Sequence, residues 1–215
     1  MSLSSRTKFL LQNLKVLGYT NGLKATHLVI NEMCIENGYS RHDGSHYYHH
    51  LVDVAQVLLN FGIRDEDTIV AAILHDYIED VPGVTKKFVE TMFNKNIAEM
   101  VQLLSKKKGI NYKKDDKAMN EYLDGIFKNE GACLVKTADR IHNFSSMRED
   151  TSIKHKKLQV ENTEKYFIPF FKRCRNEYVE YSHFFFFAKT IIEPIMYEMK
   201  ENIKLTNKYL EVKNG

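Results

Sequence analysis

The run HDYIED at residues 75–80 places one imidazole and three carboxylates at the end of an apolar helical stretch. Buried carboxylates are unfavourable unless they are paired or bind a cation. Glu79 and Asp80 also stand at a helix C-terminus, where the helix dipole favours positive charge. A bound divalent cation would satisfy both conditions. The alternative is an exposed acidic helix end with an incidental histidine.

His50 is a second candidate ligand, because helical spacing places it on the same side as Val54 and Leu58. A histidine on an apolar face can also be an ordinary core residue. His46 and His49 lie within the same five positions, so the sequence alone leaves open which of the three histidines points inward.

Asp139 is the third candidate, in the segment KTADRIHN at 136–143, where it follows the apolar pair Leu134-Val135. An Asp–Arg pair with Arg140 is the structural alternative. Together with the first two segments, Asp139 would complete a set of two histidines and two aspartates. Such nitrogen and oxygen donors suit Mn²⁺, Fe²⁺ or Zn²⁺, and an octahedral ion would keep positions open for water and a phosphate oxygen.

Apolar residues recur at helical spacing along most of the chain, and only 3 prolines and 10 glycines interrupt them. The pattern predicts an all-α fold in a single compact domain over residues 1–215, without strands. The predicted helices span residues 4–17, 24–37, 47–61, 65–80, 85–94, 96–106, 116–128, 131–148, 153–187 and 188–209, with a break near Pro169 and polar loops at 40–45 and 106–117.

The charge and cysteine content limit the classes of function. A net charge of +3 permits an anionic ligand, but no basic stripe typical of a dedicated nucleic-acid binder is present. The three cysteines form neither a disulfide framework nor a zinc-finger pattern, which favours a reducing cytoplasm. No signal peptide is evident, and the longest aromatic run, at 184–187, is too short to span a membrane.

The order His … His-Asp … Asp resembles the signature of the HD superfamily of metal-dependent phosphohydrolases. The spacing Arg41-x-x-Gly44-x-x-Tyr47-x-x-His50, followed by HDYIED and KTADRIHN, is similar to the hydrolase domain of the RelA/SpoT homologues. The likeness covers about residues 20–170. The chain therefore looks like a standalone small alarmone hydrolase with an HD-type helical domain, without synthetase or regulatory domains.

This resemblance implies a Mn²⁺-dependent 3′-pyrophosphohydrolase in the cytoplasm. Its substrates would be guanosine tetraphosphate and pentaphosphate, and its products GDP or GTP plus pyrophosphate. Position by position, the implied metal ligands are His50, His75, Asp76 and Asp139, and the implied water-activating pair is Glu79 and Asp80.

The implied substrate contacts are Arg41, His42, Asn143 and Ser146. His42 stands where the family usually has a lysine, and Ser146 replaces a threonine, so the preference for guanine stays open. An adenosine alarmone or NADPH is an alternative substrate. A non-catalytic module that senses a nucleotide is an alternative function, although a pure sensor need not keep both Glu79 and Asp80.

Overall fold

A computed structural model of the protein describes residues 3–148 and 151–214. These residues form helices joined by turns, and their only extended pairing is an isolated bridge between Ser40 and His46. The predicted all-α class is therefore confirmed for the described part of the chain. The helices are α1 (Ser5–Leu17), α2 (Thr20–Glu32), α3 (Tyr48–Asn60), α4 (Glu66–Leu74), α5 (Tyr77–Asp80), α6 (Lys86–Met92), α7 (Lys95–Leu104), α8 (Asp116–Phe127), α9 (Glu130–Ser145), α10 (Ile153–Asn162), α11 (Ile168–Glu177) and α12 (Ser182–Asn214).

The chain divides into two compact units, Met1–His142 and Asn143–Gly215. The first unit contains α1 to α8 and most of α9, and the second contains the end of α9 and α10 to α12. All predicted metal ligands and both predicted catalytic carboxylates belong to the first unit.

Helix α4 contacts α2, α3 and α7 in the first unit. Every residue from Thr68 to Leu74 is buried, because this stretch carries small or apolar side chains apart from one threonine. Asp65 caps the N-terminus of α4, and its carboxylate accepts a 2.8 Å hydrogen bond from the backbone N–H of Thr68. Packing on several sides fixes α4, so the residues that follow Leu74 start from a rigid support.

Residues 65–80 form two helices, whereas the sequence predicted one. Asp76 has φ −99° and ψ 0°, while an α-helical ψ is about −42°, so the hydrogen-bond ladder of α4 ends before it. The backbone N–H of Asp80 then donates to the carbonyl of Asp76 at 2.9 Å and begins α5. The prediction of a continuous helix was therefore wrong, and the residue at the break, Asp76, accepts a hydrogen bond from Tyr47 through its side chain.

Helix α9 approaches its neighbours closely at Gly131. A Cβ atom at this position would lie 2.5 Å from Met100 Sδ on α7 and 2.8 Å from Thr68 Oγ1 on α4. All residues from 132 to 140 are buried, including two basic side chains and one acidic side chain. The helix therefore carries charges into the interior of the first unit, where they require partners.

Of two other predictions, the bounds of the second helix were wrong by four to five residues, and the loop at 106–117 is close to the structure. The helix predicted at 24–37 begins earlier, at Thr20, ends at Glu32, and is followed by a 3-10 turn at Ile35–Asn37. The lysine-rich stretch 106–117, predicted to be a loop, connects α7 to α8, which begins at Asp116.

The second unit was predicted as two long helices, 153–187 and 188–209, and these boundaries were wrong. The chain instead breaks after Glu177, passes through a 3-10 turn at Val179–Tyr181, and enters α12 at Ser182. No glycine or proline marks this break in the sequence, so helical periodicity alone placed the boundary too late.

Two prolines in the second unit have different effects. A π-helical turn at Thr163–Phe167 precedes Pro169. Proline lacks an N–H and its ring clashes with the carbonyl four residues earlier, so the irregularity predicted near Pro169 takes the form of this wider turn. Pro194 lies inside α12 without ending it. Although α12 has 33 residues, no described helix is both long enough and apolar enough to cross a membrane.

Candidate metal site

Four side chains from three parts of the first unit meet at one buried point. They are His50 on α3, His75 and Asp76 in the turn after α4, and Asp139 on α9; together they are called the central cluster. Ligand atoms of His50, His75 and Asp76 all lie within 4.8 Å of one another. Asp139 Oδ1 lies 3.2 Å from His50 Nε2 and 3.8 Å from His75 Nε2. The four residues singled out in the sequence therefore converge.

His50 is the histidine of its segment whose ring enters the cluster. His46 Nδ1 instead accepts a 3.1 Å hydrogen bond from the backbone N–H of Ile35. The ring of His49 packs edge-on against the rings of His46 and Tyr48. The structure thus resolves the choice among three histidines that the sequence left open.

Asp76 contacts both histidines and one tyrosine. Its Oδ2 lies 3.1 Å from His75 Nε2 and 3.9 Å from His50 Nε2. The same oxygen accepts a 2.7 Å hydrogen bond from the hydroxyl of Tyr47. Burial acts to raise the pKa of Asp76, but the adjacent charge of His75 holds that pKa below its usual value. Asp76 is therefore an anionic ligand candidate at neutral pH.

Nε2 of His75 is a buried nitrogen that needs a proton or a metal ion as its partner. Nδ1 of the same ring lies 2.8 Å from the carbonyl oxygen of Ala72 and donates to it when it carries the proton, which leaves the Nε2 lone pair facing Asp76 and Asp139. Nε2 is buried, and no described residue gives it a hydrogen bond of acceptable geometry. Burial alone would lower the pKa of His75, but the two carboxylates raise it to about 9. A proton or a metal ion is therefore needed between this nitrogen and the carboxylates, so the donor set fits a divalent cation.

Asp139 is held by Lys136, one helical turn earlier on α9. Lys136 Nζ donates a 2.9 Å hydrogen bond to Asp139 Oδ2, and both side chains are buried. The ammonium group also lies 5.7 Å from the centre of the Tyr122 ring. Burial acts to raise the pKa of Asp139, but the charge of Lys136 brings it well below the usual value. Asp139 is thus ionised, with its other oxygen directed at the histidines.

The predicted catalytic pair, Glu79 and Asp80, lies on α5, which begins directly after Asp76. Glu79 Oε2 accepts a 2.8 Å hydrogen bond from the backbone N–H of Lys106, which fixes one carboxylate oxygen. Partial burial of the carboxyl group of Asp80, followed by the negative charges of Asp76 and Glu79, raises the pKa of Asp80 to about 6. Asp80 therefore holds a proton more readily than an ordinary aspartate does.

Arg41 lies in the loop before α3, next to a residue that contacts the cluster. Its backbone N–H donates to the carbonyl of Ser45 at 2.8 Å, and its guanidinium carbon lies 5.9 Å from the centre of the Tyr47 ring. Tyr47 in turn donates to Asp76, so Arg41 is one side chain away from the cluster. His42 is exposed in the same loop.

Asn143 and Ser146, the other predicted substrate contacts, belong to the second unit. Asn143 is partly buried within α9, and Ser146 is exposed just after that helix ends. Their contact with a substrate stays a prediction.

Sequence reasoning missed two residues that support the cluster, Lys136 and Tyr47. Both lie in the motif segments, but neither was assigned a role. The spacing of three residues between Lys136 and Asp139 was the available signal, because residues three apart are neighbours on a helix. For Tyr47 no signal of this kind exists, since Asp76 is 29 positions away.

Comparisons with known proteins show the family to which the chain is related. A family model described as an HD domain matches residues 28–174. The bifunctional (p)ppGpp synthase/hydrolase SpoT of Escherichia coli K12 is 32% identical over 148 residues, which is 67% of this chain and 20% of that protein. A GTP pyrophosphokinase rsh of Brucella ovis is 36% identical over 121 residues, 53% of this chain and 16% of that protein. The chain thus spans a fifth or less of the length of these relatives.

A solved structure, described as a metazoan ortholog of SpoT that hydrolyzes ppGpp and plays a role in starvation responses, also matches. It is 17% identical with a TM-score of 0.49, over 96% of this chain and 98% of that chain. The relation to SpoT and Rsh hydrolase domains that the motifs predicted is confirmed by the sequence matches, whereas the extent of the domain over 1–215 stays a prediction. Because the family model covers more than half of the chain, the protein belongs to the HD-domain family.

Proposed function

We propose that the protein is a Mn²⁺-dependent 3′-pyrophosphohydrolase of guanosine tetraphosphate and pentaphosphate. One observation carries the proposal. Two imidazoles and two carboxylates form a buried cluster, and two further carboxylates, Glu79 and Asp80, come three and four residues after its member Asp76. The names of the relatives, which include (p)ppGpp hydrolases, support the choice of substrate class. The three free cysteines support a reducing, cytoplasmic setting.

His50, His75, Asp76 and Asp139 would hold the metal ion. Two imidazole nitrogens and two carboxylates without a thiolate suit Mn²⁺, Fe²⁺ or catalytic Zn²⁺, and the resemblance to RelA/SpoT hydrolase domains favours Mn²⁺. When bound, such an ion supplies Lewis-acid chemistry, because it neutralises charge on phosphate oxygens and makes water more acidic.

Glu79 and Asp80 would orient the attacking water, and Asp80 would accept its proton. A pKa of about 6 suits this role, since a general base works best when its pKa lies near the working pH. The backbone N–H of Lys106 keeps Glu79 in place at 2.8 Å. In the reaction, the water oxygen adds to the phosphorus next to the 3′ oxygen. The bond between that phosphorus and the 3′ oxygen breaks, the 3′ oxygen takes up a proton, and pyrophosphate leaves.

Arg41 would contact the nucleotide, because it lies beside Tyr47 and so one side chain away from the cluster. Asn143 would contact the sugar, with Ser146 nearby in the chain. The lysine-rich loop 106–117 would attract a highly anionic substrate over a distance, and added salt should weaken that attraction.

The test is incubation of metal-stripped protein with guanosine tetraphosphate, with and without Mn²⁺, followed by quantification of nucleotides and pyrophosphate. We expect GDP and pyrophosphate in equal amounts, only when Mn²⁺ is present. Release of orthophosphate instead would identify a phosphatase. Nucleotide binding without Mn²⁺ and without turnover would identify a sensing module and contradict the proposal.

His42 favours a second candidate, an HD phosphohydrolase of another nucleotide. The RelA/SpoT pattern has a lysine at this position, and the exposed His42 offers a different hydrogen-bonding group toward a base. An adenosine alarmone and NADPH are the compounds to compare with guanosine tetraphosphate at equal concentration. If kcat/KM is higher for either compound than for guanosine tetraphosphate, that compound is the preferred substrate. Release of orthophosphate from NADPH would indicate attack at its 2′-phosphate.

A further inference from the structure

A series of contacting side chains extends from His50 away from the central cluster. His50 Nδ1 lies 2.8 Å from His142 Nδ1, and His142 Nε2 lies 3.2 Å from Asp53 Oδ2. The same oxygen of Asp53 accepts a 2.5 Å hydrogen bond from Arg6 Nη1. All four residues belong to the first unit. The side chains of His142 and Asp53 are only 12% and 22% exposed, so these contacts are shielded from solvent.

The direction of the hydrogen bonds in this series follows from the ionised carboxylate of Asp53. Burial acts to raise the pKa of Asp53, but hydrogen bonds from His142 and Arg6 lower it overall. Asp53 is therefore an acceptor, and His142 Nε2 must carry a hydrogen. In neutral His142 the other nitrogen, Nδ1, is then an acceptor. His50 Nδ1 must donate to it, which leaves the lone pair on His50 Nε2.

His50 Nε2 is the nitrogen that faces the cluster, 3.2 Å from Asp139 Oδ1 and 3.9 Å from Asp76 Oδ2. An imidazole can bind a metal ion only through a nitrogen without a proton. If the proton of His50 moved to Nε2, the ring would donate to Asp139 and its metal-binding lone pair would point away from the cluster. The tautomer of His50 therefore decides whether it can be a ligand.

We propose that Asp53 and His142 are positioning residues that hold His50 in the tautomer whose Nε2 can bind the metal ion. This inference rests on the proposed metal site. The carbonyl of Ala72 serves the corresponding purpose for His75, since it lies 2.8 Å from Nδ1 of that ring. One histidine is thus oriented by the main chain and the other by two side chains, so only the tautomer of His50 depends on replaceable groups.

Metal affinity measures this role directly. In His142→Leu and Asp53→Ala we expect the Kd for Mn²⁺, measured by isothermal titration calorimetry, to rise by about 10–100-fold, as for other partners of metal-binding histidines. His142→Gln should recover much of the affinity, because its amide oxygen can accept the hydrogen of His50 Nδ1. His27→Leu is the matched control: His27 is an exposed histidine on α2, and the Kd should stay the same.

A spectroscopic measurement on the unmodified protein provides an independent readout and does not require the variants to fold. Long-range ¹H–¹⁵N spectra of the metal-free protein should place the His50 proton on Nδ1, because no bound ion then dictates the tautomer. Metal-free melting temperatures accompany the titrations, so that a loss of affinity in a folded variant is separated from a loss of structure.

The outcomes separate this inference from the proposed function. If the unmodified protein binds Mn²⁺ and both His142→Leu and Asp53→Ala bind it within twofold of the same Kd, the positioning role is overturned and the metal site stands. A His50 proton found on Nε2 would also overturn it. If the unmodified protein binds no Mn²⁺, the proposed function fails and this inference fails with it.

Discussion

The buried ammonium group of Lys136 donates a 2.9 Å hydrogen bond to Oδ2 of Asp139, one helical turn further along α9. The other oxygen of that carboxylate, Oδ1, lies 3.2 Å from His50 Nε2. Lys136 therefore neutralises one side of Asp139 and leaves the opposite side for the histidines. This division of the two oxygens lets a negatively charged side chain remain in the interior in the absence of a metal ion.

Replacement of Lys136 by methionine should destabilise the metal-free protein. The change keeps the aliphatic volume but leaves the Asp139 carboxylate buried without its cation. Breaking a buried ion pair by removing one partner costs about 3–5 kcal/mol, and we expect the free energy of unfolding in urea to fall by that amount. Saturating Mn²⁺ should restore part of the loss, because a bound cation compensates the same carboxylate.

Lys95→Met is the control for this substitution. Lys95 is on α7 with its side chain 75% exposed, and it forms an ion pair with Glu99. An exposed pair of this kind contributes little, so the change should stay within about 0.5 kcal/mol. Equal losses in the two variants would show that Lys136 is not a required partner of Asp139.

Residue type and helical phase, which are local properties of the sequence, made the members of the central cluster candidates, and the resemblance to the RelA/SpoT hydrolase domains selected His50 among the three histidines of its segment. His50 shares a helical side with Val54 and Leu58, and all three are buried. Asp139 follows an apolar stretch, and it too is buried. The convergence of these side chains with His75 and Asp76 is observed, while their binding of a metal ion stays a prediction.

The contacts around the cluster could not be predicted, because they join residues far apart in the chain. His142 and Asp53 are 89 positions apart, and no local pattern connects them. The turn at His75 and Asp76 was missed for a similar reason, since helical periodicity continues through it. Its conformation accompanies a hydrogen bond between Asp76 and Tyr47, 29 positions earlier.

Asp80→Asn should separate metal binding from turnover. The amide keeps the size of the side chain but cannot accept a proton from water, so we expect kcat for the hydrolysis of guanosine tetraphosphate to fall by about 10²–10⁴-fold. The Mn²⁺ content, measured by elemental analysis, should stay at the level of the unmodified protein. Glu121→Gln, at a side chain that is 69% exposed on α8, should change neither quantity. Near-full activity in Asp80→Asn would remove Asp80 from the catalytic pair.

Binding of Mn²⁺ at pH 7 should release about one proton. The carboxylates of Asp76 and Asp139 outweigh the effect of burial and raise the pKa of His75 to about 9, so the metal-free ring is protonated at pH 7. Burial lowers the pKa of His50 to about 4, so that ring is already neutral and contributes no proton. Because a metal ion needs the lone pair of His75 Nε2, binding must displace its proton.

The sign of this coupling is fixed by the raised pKa of His75. Between pH 6 and pH 8 the affinity for Mn²⁺ should rise with pH, by up to about tenfold per pH unit, and it should level off as the pH passes about 9. Calorimetric titrations in two buffers with different ionisation enthalpies count the released protons directly. Binding at pH 7 without proton release would show that His75 is neutral before the metal ion arrives.

Gly131→Ala should weaken metal binding from a distance, because Gly131 sets how closely α9 approaches α4 and α7. The added Cβ would lie 2.5 Å from Met100 Sδ and 2.8 Å from Thr68 Oγ1. The methionine can move, but a 2.6 Å hydrogen bond to Asp65 Oδ2 holds the Thr68 hydroxyl, so we expect the added methyl group to displace α9. Overpacking of this kind costs about 1–3 kcal/mol, which exceeds the helix propensity gained by replacing glycine. We expect a lower free energy of unfolding and a higher Kd for Mn²⁺, since Asp139 lies on the displaced helix.

Gly125→Ala provides the comparison for this effect. Gly125 is also inside a helix, α8, but the nearest atom to an added Cβ is Leu103 Cδ2 at 4.0 Å. This variant should be more stable than the unmodified protein by up to about 1 kcal/mol and should bind Mn²⁺ with the same Kd. Urea unfolding and calorimetric titration of both variants decide the matter. If Gly131→Ala is as stable as Gly125→Ala and binds Mn²⁺ equally well, the position of α9 does not depend on this glycine.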